Sequence, residues 1–159
     1  MSHFHEKIDF TVEVFIVYKN KVLLRKHDKY NIWLSVGGHI ELDEDPTQAA
    51  LREVKEEVGL EIELIGGQKG KTDGSVENAG YRDLIPPKYL GRHPVNDIHE
   101  HITLVYFAIS KTDKTLDPTY IKEKAEILWV AKEELIKMNL RPNVLFYATE
   151  ALEELGTSN

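Results

Sequence analysis

Glu53, Glu56 and Glu57 are spaced as one face of a helix, and side by side they have the chemistry of a hard-cation site. The surrounding residues signal that helix from end to end. Asp45 can cap it, Pro46 suits its first position, and Gln48 completes a capping-box-like pattern. Gly59 suits the left-handed residue that ends it. The three acids then crowd the last turns, where the helix dipole is already negative. Each charge there costs ~0.3–1 kcal/mol, and the like pair at 53 and 57 adds about 0.2–0.5 kcal/mol. Arg52 relieves Glu56 through i, i+4 spacing but cannot serve all three. A bound Mg²⁺ would relieve the rest; a solvated acidic face is the other reading of such a charge run. On this view Glu57→Gln removes repulsion and is expected to leave the metal-free fold unharmed. Thr47, Leu51, Val54 and Val58 share a different face, expected to pack on a sheet, with Gln48, Arg52 and Lys55 on the remaining side.

The wider spacing decides between the two readings. Gly38, five residues, Glu44, seven residues, then Arg52-Glu53-Val54-Lys55-Glu56-Glu57-Val58-Gly59-Leu60 resembles the Nudix box, the signature of the Nudix hydrolases, at every fixed position. The stretch covers 23 of the 159 residues. The resemblance implies metal-dependent hydrolysis of a nucleoside diphosphate linked to another moiety, a pyrophosphohydrolase reaction releasing a nucleoside monophosphate or a phosphate-bearing product. It implies Mg²⁺ or Mn²⁺ held by Glu53, Glu56 and Glu57, with the backbone carbonyl of Gly37 or Gly38 as a further ligand. Glu56 is then a ligand or the general base, and Arg52 orients the glutamates. Glu100 is an outside candidate for the base, because several Nudix enzymes draw an extra acid from a downstream loop or strand end. The family usually has a proline before the paired glycines; here Ser35-Val36 stands instead. Two alternatives share the fold: an isomerase of a small diphosphate, and a ligand-sensing regulatory module. The intact box argues against the sensor.

Composition sets the outer bounds. A chain of 159 residues with 42% apolar and 30% charged residues is expected to be one soluble domain, 1–159, with a real core. There are no cysteines, which excludes disulfides and thiolate metal sites and is compatible with a cytoplasmic setting. No apolar run approaches the length of a membrane span, and the N-terminus lacks a signal-peptide pattern. The net charge of -7 opposes long nucleic acids, so the expected partner is a small nucleotide substrate, with a homodimer left open.

The rest of the chain supplies the elements that position those acids. Residues 9–18 read as a central strand, apolar on both faces, followed by a turn at Lys19-Asn20-Lys21 and a hairpin partner from Val22 to Lys26. His27, at the strand end, reads as solvated. Trp33 is core or pocket wall, and Gly37-Gly38 permits a sharp turn and close approach to a ligand. Glu44 is expected to tie its loop to the helix. Strands follow at 60–65, 102–109 and 125–130, then a short helix from Lys132 and a last helix opened by Pro142, with a stripe of Leu145, Ala148, Leu152 and Leu155. Strand pairs with one central and one C-terminal helix give an α/β class, an α/β/α sandwich around a mixed β-sheet, which is also the Nudix fold that the resemblance implies. Residues 70–98 show little periodicity. Tyr81 and Arg82 in that segment are candidate substrate-binding residues, together with Trp33, because an aromatic can stack on a base and an Arg can meet phosphate. His99 and His101 share one face of a strand, an arrangement that binds a transition metal or lines a polar edge.

Overall fold

Eleven residues, Ile8–Tyr18, form β1, the central strand of the sheet. The computed structural model describes residues 7–27, 30–68, 70, 80–116 and 125–157. A two-residue turn at Lys19-Asn20, with Lys19 at φ 52, joins β1 to β2 (Lys21–His27). The pair stays together only at Val17–Val22 and Tyr18–Lys21. Beyond that the two strands part, and residues 32–39 fill the fork between them. There β3 (Ile32–Leu34) pairs with β2, and β4 (Val36–His39) pairs with β1. The other edge of β1 takes β7 (His99–Ser110) in parallel over ten residue pairs. Antiparallel partners complete the sheet: β5 (Ile62–Ile65) and β6 (Tyr89–Asn96) on β7, and β8 (Ile127–Ala131) on β2. The sheet is mixed and has eight strands.

Alternation along β1 divides the core in two. Val12, Val14 and Ile16 point to the side covered by α1 (Pro46–Val58), against Ala49, Ala50, Val54 and Val58. Phe15 and Val17 point to the other side, where α2 (Lys132–Leu135) and α3 (Pro142–Leu155) bring Leu135, Val144, Ala148 and Leu152. This is the expected α/β/α sandwich around a mixed sheet. Among the described residues no helix is long and apolar enough to cross a membrane.

Three local expectations change. Leu51 lies at the exposed edge of α1, and the helix packs instead through Ala49 and Ala50. Small residues let the helix axis come close to the sheet, which rotates Glu53 and Glu57 toward β4 rather than toward solvent. Gly37-Gly38 is not a turn but the middle of β4, opposite Glu13 and Val12. Within the unassigned segment, Tyr89–Asn96 is an edge strand with Pro94 opposite Glu100 and an irregular register between Pro94 and Asn96. A solvent-facing strand carrying Pro and Gly has no apolar alternation to read.

The capping box of α1 is formed. Asp45 Oδ1 accepts from the Gln48 N–H at 2.9 Å, and Gln48 Oε1 accepts from the Asp45 N–H at 2.9 Å. The other Asp45 oxygen meets Arg82 Nη2 at 2.5 Å. Asp45→Ala is therefore expected to cost about 0.5–2 kcal/mol, the usual range for a lost cap. Arg82→Ala, which removes one exposed ion pair, should cost about 0–1 kcal/mol. Thermal unfolding of both variants checks this; an equal loss in the two would assign the stability to the ion pair and not the cap.

Candidate functional site

The site is assembled where α1 crosses β4. Arg52 organises it from the helix. Its Nε meets Glu44 Oε1 at 2.5 Å and its Nη2 meets Glu44 Oε2 at 3.0 Å, a two-toothed pairing that ties the loop before the helix to the helix itself. Nη1 reaches Glu53 Oε1 at 2.8 Å and Glu56 Oε2 at 3.3 Å. Nη2 also donates to the His39 carbonyl at 3.0 Å, so the same guanidinium grips the end of β4. The pairing with Arg52 holds the Glu44 carboxyl below the usual range; the Glu41 N–H donates to it at 3.2 Å as well.

Glu57 is held from the sheet. Its Oε1 pairs with Arg25 Nη2 at 2.5 Å, and its Oε2 accepts from the Gly37 N–H at 3.0 Å. Arg25, on β2, is two residues from Leu23 and so on the face of the strand that looks toward α1, and its side chain is only 8% exposed. The two glycines of β4 are required by contact. A Cβ on Gly37 would lie 2.0 Å from the Val12 carbonyl oxygen, and one on Gly38 would lie 2.4 Å from Glu53 Oε1. The Glu53 carboxylate thus rests in a cradle that any other residue would fill.

The donor set fits a hard divalent cation. Glu53 and Glu57 offer carboxylate oxygens beside the backbone of Gly38 and Gly37, and Glu56 offers another on the far side of Arg52, which is the chemistry Mg²⁺ and Mn²⁺ prefer. Four carboxylates (Glu44, Glu53, Glu56, Glu57) face two guanidinium groups (Arg25, Arg52), leaving two formal negative charges among these six side chains. The expected strain of the acid cluster is accordingly smaller than the helix alone suggests, because Arg25 arrives from a strand 32 positions away in sequence.

A cavity of about 240 Å³ opens beside the glycines on the face of the sheet away from α1. Thr11, Glu13, Arg25, Ser35, His39 and His101 contribute to its wall. Burial pushes the Glu13 carboxyl above the usual range, opposed by a hydrogen bond from Ser35. Thr11 and Thr103 bridge across β1 and β7 through their hydroxyls at 2.8 Å. Burial, then the neighbouring His39, His93 and His99, lower the pKa of His101. Sequence reasoning missed Arg25, Glu13 and His39. A signal existed for Glu13, a charge set between Val12 and Val14 inside a largely apolar strand; Arg25, beside Lys26 at the polar end of β2, gives none.

Other sequence candidates lie elsewhere. Glu100 takes Arg92 Nε at 2.6 Å and Lys7 Nζ at 3.0 Å; hydrogen bonds from Lys7 and Arg92 lower its pKa, and it does not line the cavity. Arg82 sits on the α1 cap, and Tyr81 is exposed. Trp33 packs at the edge of the core under α3, with Lys26 Nζ 5.7 Å from its ring. His27, expected to be solvated, lines the cavity, and its Nδ1 is buried without a hydrogen-bond partner among the described residues. Tyr30 lies against it, with ring centroids 4.9 Å apart and the ring planes tilted by 44°.

The Arg25 pairing reverses one expectation. Glu57→Gln removes the carboxylate charge that meets the buried Arg25 guanidinium at 2.5 Å, so the variant should lose about 1.5–3 kcal/mol of stability, the range for hydrogen bonds to charged groups. Denaturant unfolding in chelator measures it directly; an unchanged or higher midpoint would mean that relief of acid repulsion outweighs the lost pair.

Comparison with known proteins agrees with this geometry. The family model described as the NUDIX domain matches residues 9–149. A dihydroneopterin triphosphate diphosphatase of Haemophilus influenzae is 27% identical over 146 residues, covering 90% of this chain and 85% of that protein. The m7GpppN-mRNA hydrolase NUDT17 of Xenopus laevis is 40% identical over 64 residues, and that match spans 36% of this chain but only 22% of the frog protein. Among solved structures, a NUDIX-family hydrolase from Clostridium perfringens superposes with a TM-score of 0.79 at 39% identity, covering 92% of this chain and 97% of that one. With Glu53 and Glu57 of the box set against β4 and the match running through both halves of the sandwich, the chain belongs to the Nudix hydrolase family.

Proposed function

We propose that this protein hydrolyses the diphosphate linkage of a small nucleotide-like substrate with Mg²⁺ or Mn²⁺ held by Glu53, Glu56 and Glu57. The observation that carries the reading is the fixing of Glu53 by Arg52 and of Glu57 by Arg25 against the backbone of Gly38 and Gly37, with Glu56 tied to the same Arg52. A divalent ion held there neutralises charge on the diphosphate oxygens and acidifies a water. Arg52 keeps Glu53 and Glu56 oriented and Arg25 keeps Glu57 in place, so little reorganisation is needed at the moment of reaction. Glu56 is the most open of the three, with 42% of its side chain exposed against 14% for Glu53 and 15% for Glu57. That openness suits it to take the proton from the attacking water while the bond from phosphorus to the leaving phosphate breaks. Glu100, compensated by Lys7 and Arg92, has the weaker case for that role.

The cavity wall suggests how the organic part is read. Glu13 is an enclosed acceptor beside hydroxyl groups, suited to a heterocycle edge that carries N–H donors, as guanine and pterins do. The Haemophilus relative is named for a pterin triphosphate, which makes that compound and GTP the first substrates to try, with ATP as the comparison.

Glu53→Gln should lower kcat/KM by at least ~100-fold, about 2.7 kcal/mol, and weaken Mn²⁺ binding with it. Glu56→Gln should lower kcat by about 10²–10⁴-fold while Mn²⁺ affinity changes less than in Glu53→Gln. Steady-state kinetics with metal titration decides, with product analysis alongside: recovery of the substrate's whole phosphate chain still on the organic part, with no monophosphate, orthophosphate or pyrophosphate released, would overturn hydrolysis.

Glu13 offers a pH test. Its folded pKa is raised, so its protonated form contributes stability that is fully present below the unfolded value and is lost as pH rises through the folded one. Glu13→Gln should therefore melt at a higher temperature than the parent at pH 7, with the gap closing below the ordinary value of 4.5. The same substitution should raise KM for GTP and the pterin triphosphate more than for ATP. Equal effects on all three would remove Glu13 from base recognition.

A further inference from the structure

On the face of the sheet away from α1, four side chains from three adjacent strands converge: Asp9 from β1, His39 from β4, and His99 and His101 from β7. One ligating atom from each lies within 4.8 Å of every other. Strand register brings them together. Asp9 stands directly opposite His101, His99 is two residues back on the same face of β7, and His39 stands opposite Thr11, two residues on from Asp9. His99 Nε2 is 3.2 Å and His39 Nε2 is 3.8 Å from the same Asp9 oxygen. The rings of His39 and His99 meet the ring of His101 edge-on, with centroids 4.9 and 5.0 Å away.

We propose that Asp9, His39, His99 and His101 bind one transition-metal ion of the zinc, cobalt and nickel class, at a site distinct from the box carboxylates. Three imidazoles and one carboxylate are borderline donors, which suit these ions and not Mg²⁺. Metal–nitrogen bonds of about 2.0–2.1 Å set tetrahedral ligand atoms roughly 3.3 Å apart. The 3.2 and 3.8 Å separations already approach that, and small side-chain rotations close the rest. All four residues rest on paired strands of the sheet, and His39, which ends β4, also has its carbonyl held by Arg52. Access is open, since 49% of the Asp9 side chain and 56% of that of His39 are exposed. His39 and His101 also line the cavity, so the ion adds positive charge where an anionic substrate would enter.

The test is calorimetric titration of the full chain with Zn²⁺ in saturating Mg²⁺, paired with the visible absorption of the Co²⁺ form. The expected result is one equivalent bound and a tetrahedral or five-coordinate Co²⁺ spectrum. His99→Ala and Asp9→Asn should each weaken binding at least ~10-fold. Glu53→Gln should not change it, and neither should the joint change His3→Ala, His5→Ala, which removes the other N-terminal imidazoles. Circular dichroism confirms that each variant is folded. No saturable Zn²⁺ binding in saturating Mg²⁺ would overturn the proposal. So would binding that survives both His99→Ala and Asp9→Asn, or binding lost in Glu53→Gln or in the His3, His5 variant.

Discussion

The guanidinium of Arg52 is the constraint from which the site follows. Its donors reach two oxygens of Glu44, one each of Glu53 and Glu56, and the carbonyl of His39. Those partners belong to the loop before α1, to α1 itself and to β4, so one planar group fixes three separate pieces of chain. A lysine could not do this, because its three donors radiate from one point and lack the fork that a carboxylate accepts with both oxygens. The contacts with Glu44 and Glu53 also hold the guanidinium pKa above its ordinary value, and those with Arg52 hold the Glu44 carboxyl low, so neither partner changes charge in the neutral range.

The second requirement is topological. A hairpin whose strands stayed paired along their length would leave no opening between β1 and β2. Here the strands separate after two residue pairs, and β3 and β4 occupy the gap. The fork leaves the cavity bounded by residues of both strands, while Arg25 reaches Glu57 from the face of β2 that looks toward α1. Gly37 and Gly38 are the toll of that arrangement: β4 must lie against the β1 backbone on one side and the Glu53 carboxylate on the other, with no space for a Cβ on either.

What was legible in the sequence was local. The cap at Asp45 and Gln48, the left-handed Gly59 with φ 71, the hairpin turn and the grouping of the box acids all depend on residues close in sequence. What was not legible depends on pairing across the fold. Arg25 and Glu57 meet only once β2 and α1 are docked, so the acid cluster looked more strained than it is. Leu51 outranks Ala49 and Ala50 in hydrophobicity, yet the helix buries the alanines because close approach to the sheet favours small side chains. The edge strand Tyr89–Asn96 has one solvent-facing side and a proline, which erase the period-two signal. Tyr81 and Arg82 stand out by their chemistry and by their place in an irregular segment outside the box, and nothing in their spacing carries the information that Asp45 sits beside Arg82.

His39 shows how finely donor chemistry is divided in this molecule. Its carbonyl serves the oxygen-rich side, through Arg52, while its imidazole joins the nitrogen-rich side, with Asp9, His99 and His101. The preceding residue, Gly38, touches Glu53. Two donor sets of different hardness therefore meet across a single short strand. Distance does not separate them well, but ligand type does: carboxylates crowded on a helix favour an oxygen-loving divalent ion, and imidazoles clustered on a sheet favour a borderline one. Because β4 is pinned by its pairing with β1 and by Arg52, neither set can borrow ligands from the other without breaking ladder hydrogen bonds or uncovering the Glu53 carboxylate. The rigidity that positions the box acids is thus the same rigidity that keeps the two chemistries apart.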